Sequence, residues 1–270
     1  MIAYLKELWA YRELVYNLVL RDLKVRYKNS VLGVVWSWLN PLLMMLVFTL
    51  VFDVLGLARQ DISNYHIFFL SALLPWNFFS GSVMGGIPCI VSNGHLIKKV
   101  YFPREVLPIS VVLSNMVNFV VALPVFFLLA LIFGQRITPW VLLLPIPILI
   151  QVIFACGIVL FLSTLEVFYR DTHMLMDPLI QAWFFITPII YSYKDLPDKV
   201  TLLNITFNPQ TWIFRLNPMA SIINTYQDIL YRGELTRWDF LSRTGATALV
   251  VLLFGYWFFR RFSGKFGETV

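Results

Sequence analysis

The chain has 270 residues, of which 59% are hydrophobic and 13% charged, with a formal net charge of +6. A water-soluble domain carries about 25% charged residues, so this composition leaves too little polar surface for one and excludes a soluble protein. The two cysteines, Cys89 and Cys156, both lie inside apolar runs and exclude a disulfide framework.

The first 35 residues carry six basic groups and lack the basic head, short apolar stretch and small-residue cleavage site of a signal peptide. The N-terminus is therefore expected to be retained. Leu8, Val15 and Val19 fall on one helical face and Lys6, Glu13, Asn17, Arg21 and Lys24 broadly on the other, with Arg12 interrupting the apolar side. This pattern predicts an amphipathic helix along the inner membrane surface. Arg21, Lys24 and Lys28 recur at i, i+3 and i+7, aiming cations at anionic head groups, each contributing about 1 kcal/mol near the surface. A plain positive-inside anchor accounts for the same residues equally well.

Beyond residue 35 the chain turns apolar. Between Asp61 and Lys98 there are 36 residues without a charged side chain, and similar runs separate Glu105 from Arg136 and Arg136 from Glu166. A bilayer core of about 30 Å needs about 20 helical residues, so each run is long enough to cross. Spans are predicted over 36–57, 66–91, 106–133, 140–165, 174–193 and 244–259. With the N-terminus inside, thirteen of the twenty-one Lys and Arg fall in inner segments, and the two short outer loops hold only Arg59 and Arg136. The positive-inside rule thus places both termini in the cytoplasm.

The stretch 194–243 reads differently. Its apolar pieces, 202–214 and 218–230, are too short to cross and are broken at Asn208-Pro209 and Asn217-Pro218. A re-entrant helical hairpin on the outer side fits, because non-helical backbone survives at membrane depth only where protein or water covers it. Amphipathic helices resting on the outer surface remain the alternative. The expected fold is all-α and integral to the membrane, one transmembrane domain over 1–270. Residues 1–35 form the interface helix and linker, 36–193 five spans, 194–243 the outer segment, and 244–270 the sixth span and tail.

Candidate chemistry is sparse. There is no GxxxxGK[ST] phosphate loop, no HExxH and no GxSxG elbow, and His66, His95 and His173 stand without a second ligand at helical spacing, so no metal site is expected. Charges inside or beside the spans are limited to Asp53, Glu166 and Asp177, all near span ends, and Glu166 is one turn from Arg170. Ion-coupled carriers keep ionisable groups near the midplane, so transport here would draw its energy from elsewhere. Aromatics reach 17%. Most suit interfacial belts, and a minority would line a conduit.

Four stretches resemble one family in order. They are Arg21-Asp22-Leu23-Lys24-Val25-Arg26-Tyr27-Lys28 with Trp36-Ser37-Trp38-Leu39-Asn40-Pro41; Leu73-Leu74-Pro75-Trp76-Asn77-Phe78-Phe79; Leu96-Ile97-Lys98-Lys99-Val100-Tyr101-Phe102-Pro103-Arg104-Glu105; and Tyr169-Arg170-Asp171 with Phe185-Ile186-Thr187-Pro188. Asn217-Pro218-Met219 and Tyr226 look like the family's outer hairpin. Together they resemble type-2 ABC exporter permeases for lipid-linked polysaccharides such as O-antigen, capsule or teichoic acid. The resemblance implies a bacterial inner-membrane homodimer seated on two ATP-binding cassette subunits, with ATP and Mg on those partners and no cofactor or catalytic residue in this chain.

It further implies roles for particular residues. Arg21, Lys24, Arg26 and Lys28 would meet the lipid diphosphate, and Trp36, Trp38, Trp183, Phe184 and Tyr191 would touch sugars. The segment His95, Leu96, Ile97, Lys98, Lys99, Val100, Tyr101 with Arg104 would be the helix that couples to the ATPase. On the residues alone two other readings stay open. One is a small-molecule or drug exporter permease of the same architecture; the other is a membrane-embedded transferase acting on lipid-linked glycans, with Asp171 and Asp177 as its acidic pair.

Overall fold

The computed structural model describes residues 10–27, 35–54, 64–192, 200–202, 205–236 and 238–269. In chain order these form α1 (Arg12–Tyr27), α2 (Trp36–Val54), α3 (Tyr65–Gly86), α4 (Cys89–Ser92), α5 (Gly94–Lys99) and α6 (Val106–Ile132). After a 3-10 turn, Pro139–Leu143, come α7 (Pro145–Phe168) and α8 (Thr172–Ile186). A short antiparallel ribbon follows, β1 (Val200–Leu202) with β2 (Ile205–Phe207), pairing Thr201 with Thr206. The chain closes with α9 (Pro209–Leu216), α10 (Pro218–Gln227) running into a π turn Asp228–Arg232, α11 (Trp238–Ser263) and α12 (Phe266–Thr269). The fold is thus helical apart from the ribbon.

Four helices among the described residues are long and apolar enough to cross a membrane: Tyr65–Gly86, Val106–Ile132, Pro139–Phe168 and Trp238–Ser263. A helix satisfies its own backbone polar groups, the condition a chain must meet in hydrocarbon. Local chemistry sets the ends. Pro145 and Pro218 open α7 and α10, where a missing N–H costs nothing. Gly134 (φ 71°) and Gly233 (φ 65°) turn the chain out of α6 and the π turn through left-handed backbone.

The charge-free run that reads most strongly as lipid-facing is the most enclosed. Within α3, 78% of the apolar stretch is buried against other helices, compared with 33% in α6 and 22% in α11. α2, α6, α7, α8 and α10 all pack on it, and Phe68, Phe69, Phe79 and Val83 are sealed from solvent. A helix apolar all round fits a bundle centre as well as a lipid contact, so periodicity cannot separate the two.

Several boundaries differ from the sequence expectation. The second span stops at Gly86 and the chain turns through Pro88 into α4 rather than continuing to 91. α8 covers Thr172–Ile186, fifteen residues, and does not reach 193. The break is local: Thr187 precedes Pro188, which pushes it to extended backbone (ψ 136°), and its hydroxyl turns back to donate to the Trp183 carbonyl at 2.8 Å. The last helix, by contrast, outruns 244–259 in both directions, and Arg243 and Arg260 lie within it.

The two apolar pieces of the outer segment behave unlike each other. α10 is drawn into the bundle, with Met219, Ile222, Ile223 and Tyr226 fully buried against α3 and α11. α9 keeps Arg215 and Leu216 exposed. Asn217 joins them: its side-chain oxygen accepts the Ala220 N–H at 3.3 Å and the Trp183 indole N–H at 2.8 Å, while its amide donates to the Thr187 hydroxyl at 2.9 Å.

A second, smaller core sits at the end of the bundle where α1 and α12 pack. It joins Leu18 of α1, Ile90 of α4, Ile97 of α5, Val106 of α6, Phe259 of α11 and Phe266 of α12. α1 buries Leu18 and Val19 against α6 and leaves Glu13, Asn17, Arg21 and Lys24 exposed, so its polar face is the one its pattern predicts.

Candidate functional site

The segment 94–104 projects from this second core. Gly94 and Ile97 are buried while His95, Lys98, Lys99, Val100 and Tyr101 are exposed, Tyr101 by 90%. The Tyr101 ring thus makes little contact with its own chain. The base of the segment is fixed. Leu96 and Ile97 donate backbone N–H groups to the Asn93 carbonyl at 3.0 and 3.2 Å, and the Asn93 amide donates to the Cys89 carbonyl at 2.8 Å. Arg104 donates to the Ser263 carbonyl and lies 5.9 Å from the Phe266 ring, tying the segment to the C-terminal helices. Beside it is an open cleft of about 440 Å³ that also takes in Tyr256 and Arg260, with Arg260 3.9 Å from Glu105.

The basic residues of α1 lie next to this segment. Arg21 pairs with Asp22 at 3.2 Å and donates to the Asn93 side-chain oxygen at 3.3 Å, so α1 and the projecting segment touch through one guanidinium. Lys24 is exposed on the same helix. Arg26 is described only by its backbone, and Lys28 lies outside the described residues.

The aromatics singled out from the sequence are not brought together. Trp36 is 45% exposed at the start of α2, at the mouth of a cavity of about 650 Å³ between α2, α3 and α6. Trp38 donates its indole N–H to the Val121 carbonyl at 2.9 Å and so ties α2 to α6. Trp183 stacks edge-on to Phe79 and donates to Asn217, joining α8 to α3 and α10. Phe184 packs on Trp76, with Phe185 exposed beside it. Tyr191 is half-buried and donates to the Ile186 carbonyl at 3.1 Å, closing the end of α8. Glu166, one turn from Arg170, accepts the His173 backbone N–H at 3.0 Å and caps α8. Asp171 and Asp177 are both exposed on the α8 side.

Sequence reasoning passed over the polar wall of the 650 Å³ cavity: Asn40 of α2, Asn77 and Ser80 of α3, and Asn115 and Asn118 of α6. A signal was present, because 77 and 80, and 115 and 118, stand three apart inside otherwise apolar spans and so share a helical face. Among the described residues no group of three His, Cys, Asp or Glu side chains is placed to hold a metal ion.

Residues 13–231 match the pattern of the family described as ABC-2 type transporter. Over 270 residues, the whole of both chains, the protein is 37% identical to the O-antigen export system permease protein RfbA of Myxococcus xanthus. It is 32% identical over 253 residues to the protein of the same name from Klebsiella pneumoniae, covering 93% of this chain and 92% of that one. It is 23% identical over 258 residues to the polysialic acid transport protein KpsM of Escherichia coli, covering 90% and 91%.

Proposed function

The chain belongs to the ABC-2 type transporter family, and we propose that it is the permease of an exporter that carries a polyprenyl-diphosphate-linked polysaccharide of the O-antigen kind from the cytoplasmic to the outer side of the inner membrane. The observation that carries this reading is the end-to-end similarity to O-antigen export permeases. It is supported by the projecting segment at the end of the bundle that holds the second core.

In this reading two copies pair, each on a separate ATP-binding subunit that supplies ATP hydrolysis. Both termini face the cytoplasm, six segments cross the bilayer, and α9 and α10 form an outer re-entrant hairpin. Nucleotide-driven closure of the partner subunits pushes on Lys98, Lys99, Val100 and Tyr101. The push passes through Ile97 and Arg104 into the second core, and so into the N-terminal half of α6 and the C-terminal halves of α7 and α11. α1 moves with it through Arg21 and Asn93. The two copies then part, opening a path between the first and fifth spans. Arg21, Lys24, Arg26 and Lys28 meet the lipid diphosphate at the inner surface, where a cation gains about 1 kcal/mol from nearby anionic charge. Trp36, Trp38, Trp183, Phe184 and Tyr191 touch sugars.

The test is to deplete the protein from cells and compare surface-labelled polymer with polymer in a total extract. Full-length polymer held inside is expected. Normal surface polymer, in cells with no second exporter, would reject the reading; truncated polymer would point to synthesis instead.

A further inference from the structure

We propose that the cleft between the projecting segment and the last turns of α11 holds the head group of an anionic phospholipid, whose chains lie along α11. The site needs only that the chain spans a membrane, and is independent of what is exported. Sixteen uncharged residues separate Arg243 from Arg260 on α11. At 1.5 Å per residue the two arginines stand about 26 Å apart along the helix, against a hydrocarbon core of about 30 Å. Arg260 therefore lies where hydrocarbon gives way to head groups. Glu105, the last charged residue before the 30 uncharged ones that begin with α6, is 3.9 Å from it. The cleft that both residues line is thus at head-group level and, with the termini cytoplasmic, in the inner leaflet.

The charge of the walls selects the occupant. Among the described residues the cleft is lined by four cations, Lys98, Lys99, Arg104 and Arg260, and by one carboxylate, Glu105. Arg104 donates to the Ser263 carbonyl and Arg260 to the Tyr256 hydroxyl, bonds to uncharged groups that fix the two guanidinium groups and leave their charge. One carboxylate offsets four cations only in part. A phosphodiester without an ammonium group of its own is attracted to such a surface, whereas a zwitterionic head group brings a cation that the lining repels. The volume, about 440 Å³, falls within the range of about 300–1,000 Å³ usual for small-molecule sites.

The same face of α11 continues into the hydrocarbon. Leu249, Leu253, Tyr256 and Arg260 stand at i, i+4, i+7 and i+11, one helical stripe. Leu249 and Leu253 are half exposed, and Tyr256 is partly buried beside the cleft. The stripe passes from bare leucine through an aromatic ring to a cation, the order in which a phospholipid passes from chain to phosphate. An acidic segment of the ATP-binding partner would match the cations of the cleft but would leave the leucines, which lie at membrane depth, without an occupant. The stripe therefore favours a lipid.

Full-length protein in nanodiscs of phosphatidylcholine would be exposed to two photoreactive lipids, a phosphatidylglycerol and a phosphatidylethanolamine with identical chains, each carrying a diazirine beside the glycerol. Labelled peptides would be mapped by mass spectrometry. The phosphatidylglycerol should label residues 96–105 and 249–264 about tenfold more than the phosphatidylethanolamine. A Lys or Arg near the membrane surface favours anionic lipid about fivefold, so Arg260→Gln should lower that preference about fivefold and Arg260→Lys should keep it. Glu105→Gln should raise it severalfold, a direction that a purely structural role for the Glu105 and Arg260 pair does not produce. Equal labelling by the two lipids, label confined to other segments, or a preference unmoved by Arg260→Gln would each overturn the site. Absence of label here, with loss of the ATP-binding subunit from Arg260→Gln in a pull-down, would overturn it in favour of a protein occupant.

Discussion

Gly157 on α7 and Gly255 on α11 meet backbone to backbone: a Cβ on Gly255 would stand 2.1 Å from the Gly157 carbonyl oxygen, and one on Gly157 2.6 Å from the Leu252 nitrogen. Lipid tails are as apolar as leucine, so helices associate in a bilayer through close van der Waals packing, and small residues permit it. This crossing carries the contact between the two helices that end in the second core.

Gly255→Ala should therefore push α7 and α11 apart and destabilise the folded chain by about 1–3 kcal/mol, the range for overpacking. Gly245→Ala is the internal control, since the nearest atom to its added Cβ is Ile150 Cδ1 at 3.7 Å, an ordinary contact. Melting in detergent followed by size-exclusion would show a lowered midpoint for the first and little change for the second. Equal midpoints would refute the crossing.

Asn217→Leu should cost about 1–3 kcal/mol, because the Trp183 indole N–H and the Ala220 N–H lose their acceptor in a buried place. Asn217→Asp should be milder, since it keeps an oxygen for both donors and, when protonated, can still donate to the Thr187 hydroxyl. Thermal midpoints of the two variants in the same detergent decide it.

Asp228 and Arg232 form an i,i+4 pair in the π turn, with side chains 9% and 10% exposed, and Asn224 bonds to both. Removing the carboxylate alone, as in Asp228→Ala, should destabilise by about 3–5 kcal/mol, because it breaks a buried ion pair from one side. Asp228→Ala with Arg232→Met should recover much of that loss. A double-mutant cycle on unfolding midpoints would show the coupling, and simple additivity would refute it.

Tyr101→Ala with Lys98→Glu should abolish co-purification with the ATP-binding partner while leaving the protein inserted and folded. Both side chains are exposed and the anchor Ile97 is untouched. Tagged pull-down from membranes gives the answer; an intact complex would remove the segment's coupling role.

Arg26→Glu with Lys28→Glu should lower export severalfold with unchanged membrane insertion, read as surface polymer against total polymer. Normal export from that variant would exclude these cations from handling the diphosphate.

Membrane residence, the helical class and the family were legible in the residues, because a charge-free run longer than a bilayer is thick has few other uses and because the motifs recur in order. The polar face of α1 was legible as well, since Glu13, Asn17, Arg21 and Lys24 follow the helical period. Which aromatics serve as struts was not. Trp38 and Trp183 look alike in sequence to Trp36, yet the first two donate their N–H groups to Val121 and Asn217, partners 83 and 34 residues away, and Trp36 stands at a cavity mouth. The end of α8 at Ile186 likewise depends on the Thr187 hydroxyl reaching back to Trp183 as well as on Pro188.

What the sequence determined by itself is therefore the solvent each segment tolerates, since transfer of a side chain between water and hydrocarbon is a property of that side chain and its near neighbours in the chain. Only the tertiary structure decided that α3 is the centre of the bundle, that Gly157 lies on Gly255, and that Asn77 and Asn118 line one cavity. Those relations join helices far apart in sequence, and an apolar helix carries no period that says whether lipid or protein will cover it.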